Sequence, residues 1–217
     1  MNFRECMAQR PAILMEGALG ERLKREYGLK IDGIVAMAHL VYKERGRAAL
    51  QKLWGEYIGI AQKYQLPFMA TTPTRRANRA RISLSNYSDR IIFDNVDFLR
   101  SIQQNSKTEM YVGGLVGCKG DAYTGDGALT EHEALEFHSW SAERFRKAGV
   151  DFLYAGIMPV LSEAAGLAKA IDQTGLPMPL PILTPARRTS RFAIWQIACI
   201  RALCEVPCCS LSMITPS

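Results

Sequence analysis

The chain has no apolar run long enough to cross a bilayer. Its N-terminus, MNFRECMAQRPAILME, lacks the apolar stretch of a signal peptide. The most apolar late segment, Phe192 to Cys204, is interrupted by Gln196 and Arg201 and is too short to span. A phosphate loop of the Gly-x-x-x-x-Gly-Lys-Ser/Thr type is also missing, so Gly113-Gly114 is not one. These absences exclude membrane-spanning, secreted and P-loop classes as expectations and point to a cytoplasmic protein. The six cysteines are then free thiols or metal ligands rather than disulfide partners.

What remains is an ordinary globular composition. With 217 residues, 48% of them hydrophobic, the chain can build one sizeable core. The net charge of +6 permits an anionic ligand without requiring one. Arg75, Arg76, Arg79 and Arg81 concentrate part of that charge, but no aromatic is interleaved to stack bases. The cluster is expected to be a solvated loop-helix face, with no nucleic acid and no membrane as partner.

The stretch from Tyr123 to Ala164 organises the rest. Thr130 is an N-cap with Glu133 three residues on to close a capping box. Ala134, Phe137, His138, Ser141, Phe145 and Ala148 then fall on one helical face, and Gly149 ends the helix. Val150 to Ala155 is a short apolar run of the kind buried on both faces of a sheet. A second helix follows on Ala164, Leu167, Ala168 and Ile171, with Gly175 as its stop. Helix, turn, buried strand, helix is the repeating unit of a parallel α/β protein.

The same unit recurs upstream. Pro11 to Met15 is a first strand opening onto Glu16 and Gly17, a carboxylate beside a glycine at a strand's end. Gly46 to Gln65 is a helix with Leu50, Leu53, Trp54, Tyr57, Ala61 and Tyr64 in one stripe. Phe68 to Thr72 is a second strand, Ile91 to Gln104 a helix on Ile92, Val96, Leu99 and Ile102, and Met110 to Cys118 a third strand. Leu180 to Leu183 is a weaker fifth strand because of its flanking prolines. From Pro185 the chain has no further strand-helix unit; Cys199, Cys204, Cys208 and Cys209 crowd this tail.

Four segments, ILMEGALGERL, PFMATTPTRRAN, YVGGLVGCKGDAYTG and FHSWSAERFRKAGVDFLYAGIMPVLSEAAGLAKAI, resemble the homocysteine S-methyltransferase family in the family's order. The resemblance covers roughly residues 11 to 184. It implies a (β/α)8 TIM barrel with its site at the C-terminal ends of the strands, of which this chain holds about five βα units. It implies methyl transfer to a zinc-bound thiolate such as that of homocysteine, zinc making the thiol a nucleophile near neutral pH. A small-molecule thiol and a methyl donor are the implied partners. In the carry-over, Glu16 and Gly17 match the acid and glycine at the substrate, and Thr72 and Thr74 match the threonine-rich end of the second strand.

Two departures qualify that implication. Relatives carry a glutamate after the fourth strand that holds the substrate's amino group, and this chain has Gly156 there. The family's zinc thiolates come from an Asn-Cys and a Gly-Gly-Cys-Cys step late in the barrel, whereas Cys208-Cys209 follows Val206-Pro207. The expectations are therefore a barrel portion over 1–184 and a tail unlike the family over 185–217. With them goes a truncated or frameshifted coding sequence that binds no zinc and is inactive alone. Leu14, Met69 and Val112 should lack part of their packing, and the open sheet edge invites association. The alternative is a non-catalytic barrel fragment binding a protein or anionic partner through its basic face and open edge. His39, His132 and His138 are expected to be surface or core residues without a functional role.

Overall fold

The computed structural model describes residues 1–31 and 33–179. Helix α1 (Phe3–Gln9) is followed by strand β1 (Leu14–Met15), α2 (Leu19–Arg25) and a 3-10 segment over Ala36–Tyr42. Then come α3 (Glu44–Lys63), β2 (Phe68–Thr71), α4 (Arg79–Ser83), α5 (Arg90–Gln104) and β3 (Met110–Gly117). The described part ends with α6 (Glu131–Ala148), β4 (Phe152–Gly156) and α7 (Leu161–Asp172). The four strands are all parallel and stand in sequence order, β1-β2-β3-β4. Each strand is thus joined to its neighbour by a helical crossover, which is the wall of a TIM-type barrel, here a half-barrel.

Local signals set the elements. Thr130 accepts from the Glu133 amide while the Glu133 carboxylate reaches back to the Thr130 amide, closing the expected capping box. Gly149 stops α6 with φ of 75°, a left-handed value that glycine takes without a Cβ clash. Between α6 and β4 the turn is pinned by Asp151, which accepts from the Val112 amide at 2.7 Å and binds Arg100 through both oxygens at 2.9 and 3.0 Å. That fork fixes how β4 lies against β3.

The two faces of the sheet bury different sets. Phe68, Ala70, Val112, Val116, Leu153 and Ala155 point outward into one large core with Leu50, Leu53 and Trp54 of α3, Ile92, Val96 and Leu99 of α5, Phe145 of α6 and Leu167 of α7. The opposite side chains, Tyr111, Phe152 and Tyr154, point into what is the barrel lumen. There they meet α1, whose Phe3 stacks on Phe152 at 4.4 Å between ring centroids and sits edge-on to Tyr111 at 5.2 Å. Asn2 and Glu5 cap this helix reciprocally.

Several expectations need correction. The first strand is only Leu14–Met15 rather than Pro11 to Met15, because its partner among the described residues, β2, pairs with those two positions and Pro11 has no amide to donate. Tyr64 is not part of the helix stripe: α3 ends at Lys63 and Tyr64 is 63% exposed. Val112 is fully buried, since its side chain faces the complete outer layer; Leu14 and Met69 are half-buried. The fifth strand at Leu180 to Leu183 and the tail over 185–217 lie outside the described residues. Just before them, the Leu153 amide donates to the Pro177 carbonyl at 3.0 Å, so the chain at Pro177 runs beside β4. No helix of the described residues is long and apolar enough to cross a membrane.

Candidate functional site

Parallel βα structures collect their chemistry where the strands end and the loops begin. At the end of β1, Glu16 turns its carboxylate to β2. Its Oε1 accepts from the Thr71 amide at 2.8 Å and from the Thr71 hydroxyl at 2.6 Å. Its Oε2 is buried and has no partner among the described residues. Burial raises the carboxyl to about 7 against the opposing pull of the two Thr71 hydrogen bonds. The Tyr154 phenol, on the lumen face of β4, is pushed up by burial and then by the negative charge of Glu16. Glu16 is therefore a carboxyl near half-protonation at neutral pH with one oxygen uncommitted.

The other residues expected at the site are placed as follows. Gly17 is exposed, a Cβ on it would meet nothing within 4 Å, and its carbonyl accepts from the Tyr57 hydroxyl at 2.6 Å. Thr72 and Thr74 are buried, with their hydroxyls 2.7 Å apart. Thr74 donates to the Leu115 carbonyl at 2.9 Å and Thr72 accepts from the Leu115 amide at 3.2 Å. Glu16 and Gly17 thus stand at the end of β1, while the two threonine hydroxyls are engaged in tying the end of β2 to the middle of β3. Thr71, which sequence reasoning passed over, is the residue that holds Glu16. Its alternation with Met69 on the lumen face was the available signal.

Arg75 departs from the solvated face expected of its cluster. It is half-buried, and its main-chain oxygen and Cγ lie 2.6 and 2.5 Å from where a Cβ on Gly117 would stand. Its Cδ reaches to 3.5 Å from the Cβ position of Gly156. Gly117 and Gly156 are register partners at the ends of β3 and β4. Together they form a shelf without side chains on which the arginine lies.

The loop between β3 and α6 is held by Glu163 at the start of α7. That carboxylate is wholly buried and accepts from the Lys119 amide at 2.7 Å and from His138 Nε2 at 3.1 Å. Burial pushes Glu163 up, but the His138 hydrogen bond and the Lys119 amide outweigh it and leave the carboxyl below its ordinary range. His138 is a core residue, as expected, and it also has this carboxylate partner. Glu163 itself was missed, although a carboxylate four residues before Leu167 on the apolar face of a helix was visible in the sequence.

No three His, Cys, Asp or Glu side chains gather in a metal-holding group among the described residues. The two described cysteines do not supply a zinc donor set. Cys6 is buried against Tyr111 in the lumen, and burial holds the half-buried Cys118 thiol above its ordinary value, Glu163 adding to that and Arg75 and Arg76 opposing it. Zinc needs thiolates or imidazoles converging at tetrahedral spacing, and the described residues do not fit it. Cys199, Cys204, Cys208 and Cys209 lie outside them.

A half-barrel of four parallel βα units defines a TIM-barrel-type α/β fold. The sequence profile of the homocysteine S-methyltransferase family matches residues 13–199, and the chain belongs to that family. The match ends inside the stretch after 184 that reads as unlike the units before it. No curated protein matches the sequence. Among solved structures, the oxidized form of the homocysteine methyltransferase MmuM from Escherichia coli has a TM-score of 0.67 and 18% identity, covering 88% of this chain and 70% of that one. The metallated form of the same enzyme gives a TM-score of 0.63 and 19% identity over 81% of this chain and 64% of that one. This chain therefore spans about two thirds of the length of the structures it resembles.

Proposed function

We propose that the chain forms the acceptor half of a thiol S-methyltransferase site, with Glu16 as its principal polar contact to the thiol substrate. Family membership over residues 13–199 supports the chemistry, and the uncommitted, buried Oε2 of Glu16 is the observation that carries the site. A carboxyl near half-protonation can accept from an ammonium when charged or donate to an oxygen when protonated. Gly17 leaves room for substrate beside it. Thr71 orients the carboxyl, and Thr72 and Thr74 act from behind the surface by fixing the strand ends. The division into a barrel portion over 1–184 and a tail over 185–217 belongs to the same reading.

Zinc in this family would make the thiol nucleophilic, and a methyl donor such as S-methylmethionine or betaine would supply the group. The described residues offer no such donor set, and we propose that this polypeptide binds acceptor but does not complete transfer by itself. The non-catalytic reading draws on the same fact, together with the edge at β1, which among the described residues pairs with β2 alone. Metal analysis of the full chain separates them. Stoichiometric zinc lost on alkylating Cys208 and Cys209, with methylation of homocysteine from labelled S-methylmethionine, would overturn the inactive reading. Metal-free protein that still binds a small thiol in a Glu16-dependent way is the expected result. Protein that binds no thiol, yet associates through its sheet edge, would favour the fragment.

A further inference from the structure

The side-chain-free shelf at Gly117 and Gly156 brings a cation into the mouth. Arg75 leaves the end of β2, its main chain pressed against Gly117, and its methylenes cross to Gly156 on β4. A Cβ at 117 would stand 2.5 Å from Arg75 Cγ, and one at 156 would stand 2.9 Å from Leu115 Cδ1, so larger residues at either position would displace this arrangement. No carboxylate among the described residues pairs with Arg75 in an ion pair or hydrogen bond, whereas Arg22, Arg90, Arg100, Arg144 and Arg146 all have one. Glu163 accepts from His138 and the Lys119 amide through Oε1 and forms no ion pair with Arg75. A half-buried arginine with its stem laid flat and no acceptor among the described residues is a receptor for a planar anion.

We propose that Arg75 is a specificity-determining residue that takes the carboxylate of the acceptor thiol, so that this mouth selects mercaptocarboxylates and does not require an amino group. The inference rests on the acceptor-half reading above, and it names the substrate class. Gly156 offers no carboxylate to an ammonium, and the charge that occupies its place is positive. Glu16, near half-protonation, opposes an anion less than an ordinary carboxylate would.

The test is calorimetry on the full chain with mercaptobutanoate, homocysteine, mercaptopropylamine and sulfur-free butanoate. Mercaptobutanoate and homocysteine should bind alike, and each about tenfold or more tighter than mercaptopropylamine. Arg75→Met keeps the methylene cover over the glycines and should abolish that preference, with its circular dichroism unchanged. As a second variant, Arg75→Glu reverses the charge without adding a side chain at either glycine, and should weaken mercaptobutanoate while strengthening the aminothiol. An aminothiol that binds as well as mercaptobutanoate to the unsubstituted chain overturns the proposal. So does mercaptobutanoate affinity that is unchanged in either variant, or a chain that binds neither mercaptobutanoate nor butanoate. Butanoate binding that depends on Arg75, with no gain from the thiol, sustains the arginine's role and instead removes the thiol-acceptor reading.

Discussion

The two faces of one sheet have been completed to different degrees. Outward, every strand meets a helix from its own βα unit, and Phe68, Val112, Leu153 and Phe145 are almost wholly buried. Inward, Ile13, Met15, Met69 and Leu115 are only partly buried, and among the described residues the cover comes from α1. The outer core is built from neighbours in sequence, so four units can make it. The lumen is filled in a closed barrel by side chains from alternate strands all the way round, and a half-barrel must use another element. Phe3 and Cys6 are that substitute.

The sharpest way to break this contrast is to cut one large residue from each side. Phe145→Ala empties an outer position where the ring sits against Gly114, and should cost about 4 kcal/mol of unfolding free energy. Met69→Ala removes a half-buried lumen residue and should cost at or below about 2 kcal/mol. Urea denaturation monitored by tryptophan fluorescence measures both. Equal losses would mean that the lumen is as well packed as the outer layer.

Glu163 belongs to neither face, yet it fixes the loop above them. Glu163→Ala leaves a buried imidazole and the Lys119 amide without their acceptor, and should cost about 3 kcal/mol. The sign of its pH dependence follows from its direction. A carboxyl held below its ordinary range stabilises the fold above the unfolded pKa, and that contribution is lost as pH falls through the folded value. Acid unfolding of the substituted chain should therefore be shallower than that of the parent, read from the denaturation midpoint against pH.

Glu16 is expected to run the other way. Its carboxyl rises from 4.5 to about 7 on folding. The folded chain thus holds this proton more tightly, and the contribution is fully present below pH 4.5 and lost as pH rises through about 7. Glu16→Gln keeps an acceptor for Thr71 and should recover up to roughly 3 kcal/mol above neutral pH and little below pH 4.5. Thermal unfolding across that range checks it. A substitution that stabilises while abolishing thiol binding marks a group retained for the site at the fold's expense.

Much of this was legible in residues whose partners are close in sequence. Thr130 and Glu133 cap α6, Gly149 stops it, and the stripes of Leu50, Leu53 and Trp54 and of Ile92, Val96 and Leu99 are buried as their spacing predicts. The site was legible only in part. Glu16 was found because a carboxylate followed by glycine at a strand's end is a local pattern. Its partner Thr71 is 55 residues away, and Glu163 and His138 are 25 apart. Arg75 read as solvated because a run of arginines usually is. Gly117 and Gly156, which give it a bed, become neighbours only when β3 and β4 pair. Helix α1 went unread because it is short and covers a face that a complete barrel would fill with strands.

The smallest effect separates two roles for the threonine pair. Thr72 and Thr74 match positions expected to touch substrate, yet both hydroxyls are engaged by each other and by Leu115. Thr74→Val keeps the shape, removes one donor and leaves the Leu115 carbonyl short of a partner in a buried place. The expected loss is about 1–2 kcal/mol of stability, with thiol affinity changed by less than about twofold because β3 keeps its ladder to β4. Urea denaturation and calorimetry on the same variant give the two numbers. An affinity loss larger than the stability loss would place the hydroxyl in the mouth itself. The reverse, a less stable protein that binds as before, would keep it behind the lumen wall, supporting the strand end from which Arg75 departs.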